Sequence, residues 1–138
     1  MNSLGMMKKI ESLNRCLERL RTKRPDRVEM LLGDIDLQDI ISINLERAVH
    51  LTVDTAAMVS AERGLAVSNT MAGNFKVLSD AGLLDPILAE RLQKSVGFRN
   101  ISVHEYQAID WALVFHILHH HLDNFDGFIR AVLPLMTV

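Results

Sequence analysis

Residues 36–62, DLQDIISINLERAVHLTVDTAAMVSAE, run without a glycine or a proline and carry apolar side chains around most of a helical circumference. A helix of that kind cannot lie against water and must be surrounded by other helices, so it marks the centre of a bundle. The flanking segments supply the neighbours. Met6, Ile10, Leu13, Leu17 and Leu20 step by three and four, which predicts an amphipathic helix over about 6–23 that stops before Pro25. The central helix opens at DIDLQD, where Asp34 or Asp36 serves as N-cap. SNT starts a shorter helix at about 70–81, closed by Gly82. Asp85 followed by Pro86 starts the next, which runs through ILAERLQKSV and on through the stretch after it. A last helix spans about 110–132, from Asp110 to just before Pro134. Strand signals are nearly absent. The expected fold is all-α, an up-and-down bundle of about five helices, in a single domain over 1–138.

The composition fits such a core: 49% of residues are hydrophobic but only 5% aromatic, so aliphatic side chains and methionine do the packing. No uninterrupted apolar segment approaches the ~20 residues of a membrane span. The opening MNSLGMMKKIESLNR has no apolar h-region, and the single Cys16 leaves no internal disulfide. These features point to a soluble, cytoplasmic protein. The charge is uneven: residues 1–27 hold eight Lys/Arg against three Asp/Glu, and the remainder holds seven against fourteen. A basic end on an acidic body is either the solvated face of a terminal helix or a contact for nucleic acid or an acidic partner.

The stretch GFRNISVHEYQ, residues 97–107, crowds polar chemistry into an apolar helix. Leu88, Leu92, Val96, Arg99 and Val103 form one stepping series, so Arg99 occupies a slot in an apolar stripe, and a charge there needs a partner or a function. Asn100 and His104 are four apart and share a face, whereas Arg99 falls ~140° from His104 around the helix. On the central helix Asn44, Arg47 and Asp54 adjoin on one face; they are candidates to line the same polar site, with simple surface exposure as the alternative. His116, His119, His120 and His121 form a second cluster. The His116–His120 spacing suits two positions on a metal, but no third ligand and no HExxH pattern accompanies it, so no metal site is assigned and a packing or supporting role is preferred. There is no Gly-rich phosphate loop, no GxSxG and no CxxC. Cys16 has basic neighbours, yet reads as a semi-buried helix residue. Residue chemistry by itself ends at a helical bundle with one Arg/Asn/His/Tyr cluster.

RNISVHEY fits the pattern R-x-x-x-x-H-x-Y with Asn directly after the Arg. The chain resembles the HEPN superfamily, specifically the HepT-like toxins encoded beside a minimal nucleotidyltransferase antitoxin. LQD, NLER and VDTA on the central helix, SVGFRN before the motif and HHLDNF near the end extend the likeness over roughly residues 10 to 130. The resemblance implies a HEPN four-helix-bundle core and a metal-independent endoribonuclease that needs no cofactor. Arg99 and His104 would be catalytic, and Asn100 would assist. That chemistry suits these side chains. A 2′-OH can attack its own phosphorus, a histidine can move the protons, and an arginine fork can hold the phosphorane charge. One chain supplies one such histidine, and the family's answer is a homodimer whose two motifs face each other across a cleft; the Leu88–Val103 stripe would then be an interface. The resemblance makes Tyr106 the residue onto which the antitoxin transfers AMP, and RNA the substrate. The competing class is a catalytically inert helical partner of a nucleotidyltransferase.

Overall fold

Three aspartates set the starts of three helices. Asp34, Asp85 and Asp110 each accept a hydrogen bond from the amide three residues on, at Leu37 (3.0 Å), Leu88 (3.0 Å) and Leu113 (3.2 Å), satisfying a donor that the first helical turn leaves unpaired. The computed structural model describes residues 3–136. Along them run α1 (Ser3–Lys23), α2 (Val28–Leu32), α3 (Ile35–Glu62), α4 (Gly73–Asp80), α5 (Pro86–His104), α6 (Trp111–His120) and α7 (Asp123–Val132), with 3-10 turns at Tyr106–Ala108 and Leu133–Leu135. No strand occurs among the described residues. Gly64 and Gly82 close α3 and α4 at φ of 68° and 77°, the left-handed conformation that lets Leu65 and Leu83 bond back to the carbonyls of Ser60 and Leu78.

Among the described residues seven α-helices replace the expected five. Val28–Leu32 is a single short turn of helix, too brief to show a period in the sequence. The expected 110–132 helix is broken at His121, where φ −123° and ψ −1° leave the helical region. Its two halves have different partners. The end of α6 is tied to the α1–α2 connection, because the Arg24 guanidinium donates to the Leu118 carbonyl (2.7 Å) and the His119 ring nitrogen Nε2 meets the Pro25 carbonyl (2.8 Å). In α7, Phe125, Phe128, Ile129 and Val132 turn instead into the core beside α3 and α5. One straight helix cannot satisfy both.

The core joins Met6, Ile10, Leu13, Leu17 and Leu20 of α1 to Ile41, Leu45, Val49 and Ala56 of α3, with Phe75 and Leu78 of α4 and Leu118 of α6. Phe75 and Phe128 meet edge to face at 6.1 Å and 87°. The α5 stripe belongs largely to this core: Leu92 and Val96 are 0% and 5% exposed, and only Val103 at its far end is open, at 44%. An interface along the whole Leu88–Val103 stripe is therefore ruled out, because Leu92 and Val96 are spent on the chain's own core and only the last turn leaves apolar surface. No helix of the described residues is long and apolar enough to cross a membrane.

Candidate active site

Where the stripe emerges from the core, α1, α3 and α5 enclose an open groove of about 810 Å³ lined by Arg15, Cys16, Arg19, Asn44, Arg47 and Arg99, with Glu46, Ile43 and Val103 beside them. Arg99 enters it from a half-buried position. Its Nε is buried without a hydrogen-bond partner, and Nη1 meets only the Met71 sulfur at 3.8 Å. A guanidinium so poorly served by its own protein is available to an anion. Asn44 is buried on the groove wall, and its amide donates to the Ile40 carbonyl at 2.8 Å, one turn back along α3. Arg47 is exposed on the same wall. Asp54, two turns further on, does not line the groove; it is held by Lys9 Nζ at 3.4 Å and His50 Nε2 at 3.2 Å. Of the three α3 residues grouped by the sequence, two face Arg99 and the third is engaged elsewhere. Burial pushes the Cys16 thiol up against the opposing pull of Arg47 and Arg15, the reverse of an activated nucleophile.

His104 is the last residue of α5, and Asn100 lies one turn before it. Both are exposed, neither lines the groove, and neither has a partner among the described residues. The shared face read from their spacing is a solvent-directed one, separated from Arg99 by Val103. The helix then stops: Glu105 adopts φ −138° and ψ 56°, and Tyr106 begins a 3-10 turn instead of extending α5. There the Tyr106 hydroxyl donates to Asp39 Oδ1 on α3 at 2.7 Å, and its ring meets Trp111 edge to face at 5.9 Å. Burial pushes the phenol above its ordinary pKa, the Asp39 hydrogen bond adds to the rise, and the Ser42 hydroxyl opposes it.

An arginine in a groove, a free histidine five residues on at a helix end, and a tyrosine two residues beyond form the R-x-x-x-x-H-x-Y pattern in three dimensions. The family pattern of HepT-like ribonucleases matches residues 10–132. The chain belongs to the HepT-like ribonuclease family. It is 31% identical over 127 residues to the mRNA nuclease HepT of Shewanella oneidensis, covering 92% of this chain and 95% of that protein. Its fold superposes on a tri-AMPylated Shewanella oneidensis HEPN toxin in complex with an MNT antitoxin at a TM-score of 0.88 and 31% identity, over 96% of this chain and 98% of that one. A toxin–antitoxin complex with AMP-PNP gives a TM-score of 0.87 at 30% identity, over 92% and 96%.

Two carboxylates of this HepT-like chain escaped the sequence reading. Asp39 lies in the LQD stretch and holds Tyr106 across 67 positions, and Glu46 in NLER accepts from the buried Ser102 hydroxyl within the motif itself. Both stretches mark the resemblance, but pairing them with α5 requires knowing how the helices face. The histidine cluster is a separate feature. His116 lies tilted against His120 at 4.5 Å and meets His121 at 5.1 Å, while His119 is tied to Pro25. Burial, then His116, His120 and Arg91, pull His121 below its ordinary pKa. Among the described residues no three His, Cys, Asp or Glu stand in metal-holding geometry.

Proposed function

We propose that this chain is the ribonuclease toxin of a toxin–antitoxin pair, a metal-independent endoribonuclease whose active site is completed by a second copy. The observation that carries the reading is Arg99, a cation with an orphaned Nε set in an otherwise apolar stripe and turned into an open groove one helical turn and a half from His104. In the reaction His104 takes the proton of a 2′-OH, the O2′–P bond forms as the P–O5′ bond breaks, and the leaving 5′-oxygen takes a proton from the partner protomer's copy of the same histidine. Arg99 holds the charge on the phosphorane oxygens, and Asn100 assists from the His104 face. Exposed Ile43 and Val103, each 44% open beside the groove, give the second copy apolar surface to cover. Asn44 and Arg47 support Arg99 from the groove wall, whereas Asp54, bound to Lys9 and His50, has no part in the proposed site.

Silencing follows from Tyr106, whose hydroxyl sits at the surface two residues beyond His104. A cognate minimal nucleotidyltransferase places AMP there: the phenol oxygen bonds to the α-phosphorus of ATP, pyrophosphate leaves, and Asp39, 2.7 Å away, is the acceptor at hand for the phenolic proton. The added phosphate brings negative charge to the place where an RNA phosphate must sit. That the Shewanella toxin is found AMPylated in complex with its antitoxin supports this assignment. The test is cleavage of RNA by purified protein in EDTA, read for 2′,3′-cyclic phosphate ends, with His104→Ala and Arg99→Ala as controls. A folded His104→Ala variant that still cleaves refutes the mechanism. Intact-mass analysis after co-expression with the transferase should show AMP-sized increments that vanish in Tyr106→Phe.

A further inference from the structure

Ion pairing in this chain is selective. Arg21 binds Asp123 at 3.4 Å and also Asp126, Lys9 binds Asp54 at 3.4 Å, Lys76 binds Asp80 at 3.2 Å, and Arg24 donates to the Leu118 carbonyl at 2.7 Å. Arg15, Arg19, Arg47 and Arg99 form no ion pair among the described residues, and all four line the groove between α1, α3 and α5. The carboxylate on that lining, Glu46, accepts a hydrogen bond from Ser102 Oγ. Four guanidinium groups against one carboxylate leave the groove strongly positive. Like charges gathered at one concave site repel each other and weaken the fold. Lys8, Lys23, Arg27, Arg63, Arg91 and Arg130 also form no ion pair among the described residues, but none of them shares this groove. An anion from outside completes the arrangement. Arg15 and Arg19 are one turn apart on α1, about 6 Å along its axis, so they present a row of charge and not a point. A row of charge suits a chain of phosphodiesters better than a single small anion.

We propose that Arg15, Arg19 and Arg47 form a phosphodiester-binding groove that seats the RNA backbone next to the phosphate held by Arg99. The assignment rests on the ribonuclease reading and extends it to the substrate contacts of α1 and α3. It also accounts for part of the basic first helix: of its six cations, Lys9 and Arg21 hold the fold through carboxylates, Arg15 and Arg19 face the groove, and Lys8 and Lys23 do neither. The same phosphodiester chemistry is carried by an adenylate on Tyr106. Asp39, which holds the Tyr106 hydroxyl at 2.7 Å, is followed on α3 by Ile40, which lines the groove, so the two sites adjoin. RNA backbone and tyrosine-linked adenylate are thus alternative sources of the same group.

The experiment uses the full chain with His104→Ala to prevent cleavage, and measures binding of a labelled single-stranded RNA over a salt titration. Arg15→Gln, Arg19→Gln and Arg47→Gln are expected to weaken binding by about tenfold each. Each should also reduce the slope of log affinity against log salt by ~0.7, whatever the RNA sequence. A slope unchanged in the triple variant overturns the proposal, and thermal midpoints of these surface variants establish that they are folded. The source is resolved by repeating the titration on AMP-modified protein. Arginine substitutions that cost nothing further there place the adenylate on the same arginines; substitutions that still weaken binding leave the groove to RNA. Failure of the parent reading looks different: a wild-type chain that cleaves nothing, with arginine variants that still lose salt-dependent binding, refutes the ribonuclease and keeps the groove. A wild-type chain that cleaves RNA, with variants unchanged in binding and KM, does the reverse.

Discussion

Replacing Arg99 by methionine should make the protein more stable while abolishing its activity. Arg99 follows Leu92 and Val96 along a stripe that is buried in the core, and its Nε–H is buried with no acceptor. An orphaned buried donor costs about 1–3 kcal/mol, and because the outer nitrogens reach the groove the low end of that range, about 1 kcal/mol, applies here. Methionine keeps the unbranched stem and its packing, removes the orphan, and relieves repulsion with Arg15, Arg19 and Arg47, worth a few tenths of a kcal/mol more once screened by salt. The expected gain is roughly 1–1.5 kcal/mol. With an unfolding entropy of ~2.1 cal/mol/K per residue, a chain of 138 residues shifts its Tm by about 3 °C per kcal/mol, so Arg99→Met should melt roughly 3–5 °C higher. The assay is scanning calorimetry at matched protomer concentration, since association would itself move Tm. RNA cleavage is measured on the same samples. A lower Tm for Arg99→Met would show that the guanidinium holds the fold together, and the case for a charge retained for function would fall.

Asp39→Asn should bring the Tyr106 phenol down toward its ordinary value near 10, because the Asp39 bond and charge raise it; ultraviolet titration of the chain's one tyrosine reads this directly. With the folded pKa raised, the Tyr106 contribution to stability is full below the ordinary phenol range and is lost as pH rises through the folded value, so Asp39→Asn should flatten the alkaline arm of the stability profile. His121 has the opposite sense: its folded pKa is depressed, so its contribution is present above about 6.5 and lost as pH falls through the folded value. His121→Gln should lessen that acid sensitivity in urea titrations; an unchanged acid limb would show that the cluster does not couple to folding. Gly73→Ala would drive a methyl group into Ser68 Oγ and the Thr70 hydroxyl that accepts from the Gly73 amide at 3.1 Å, and should cost about 1–2 kcal/mol in the urea midpoint through loss of that cap. Phe128→Ala, which empties a fully buried site against Phe75, should cost about 3–5 kcal/mol.

How far these features can be read from the chain depends on the distance over which each is decided. Asp85 and Asp110 bond to amides three residues away, so the starts of α5 and α6 are legible from letters alone, while for α3 the letters offer Asp34 or Asp36 and the structure selects Asp34. The stepping of Met6 to Leu20 identifies the buried face of α1, and the left-handed turns at Gly64 and Gly82 require residues without a Cβ. The spacing of Asn100 and His104 puts them on one face, and they lie on one face. The break at His121 is not legible, because the apolar pattern continues across it and only the separate attachments of α6 and α7 force the chain to turn.

Sequence by itself therefore determined the helical class, the caps, the R-x-x-x-x-H-x-Y pattern and, through it, the family. Tertiary structure alone decided which polar residues meet. It brought Asp39 to Tyr106 across 67 positions and took Asp54 from the site by giving it to Lys9, 45 positions away. It also turned Arg15 and Arg19 of α1 toward Arg99. The reason is physical: spacing along one helix is set by its 3.6-residue turn, whereas the angle at which one helix faces another is set by how their apolar sides interlock. A polar residue at the edge of a buried face is carried to its partner by that packing, and no local pattern records where it arrives.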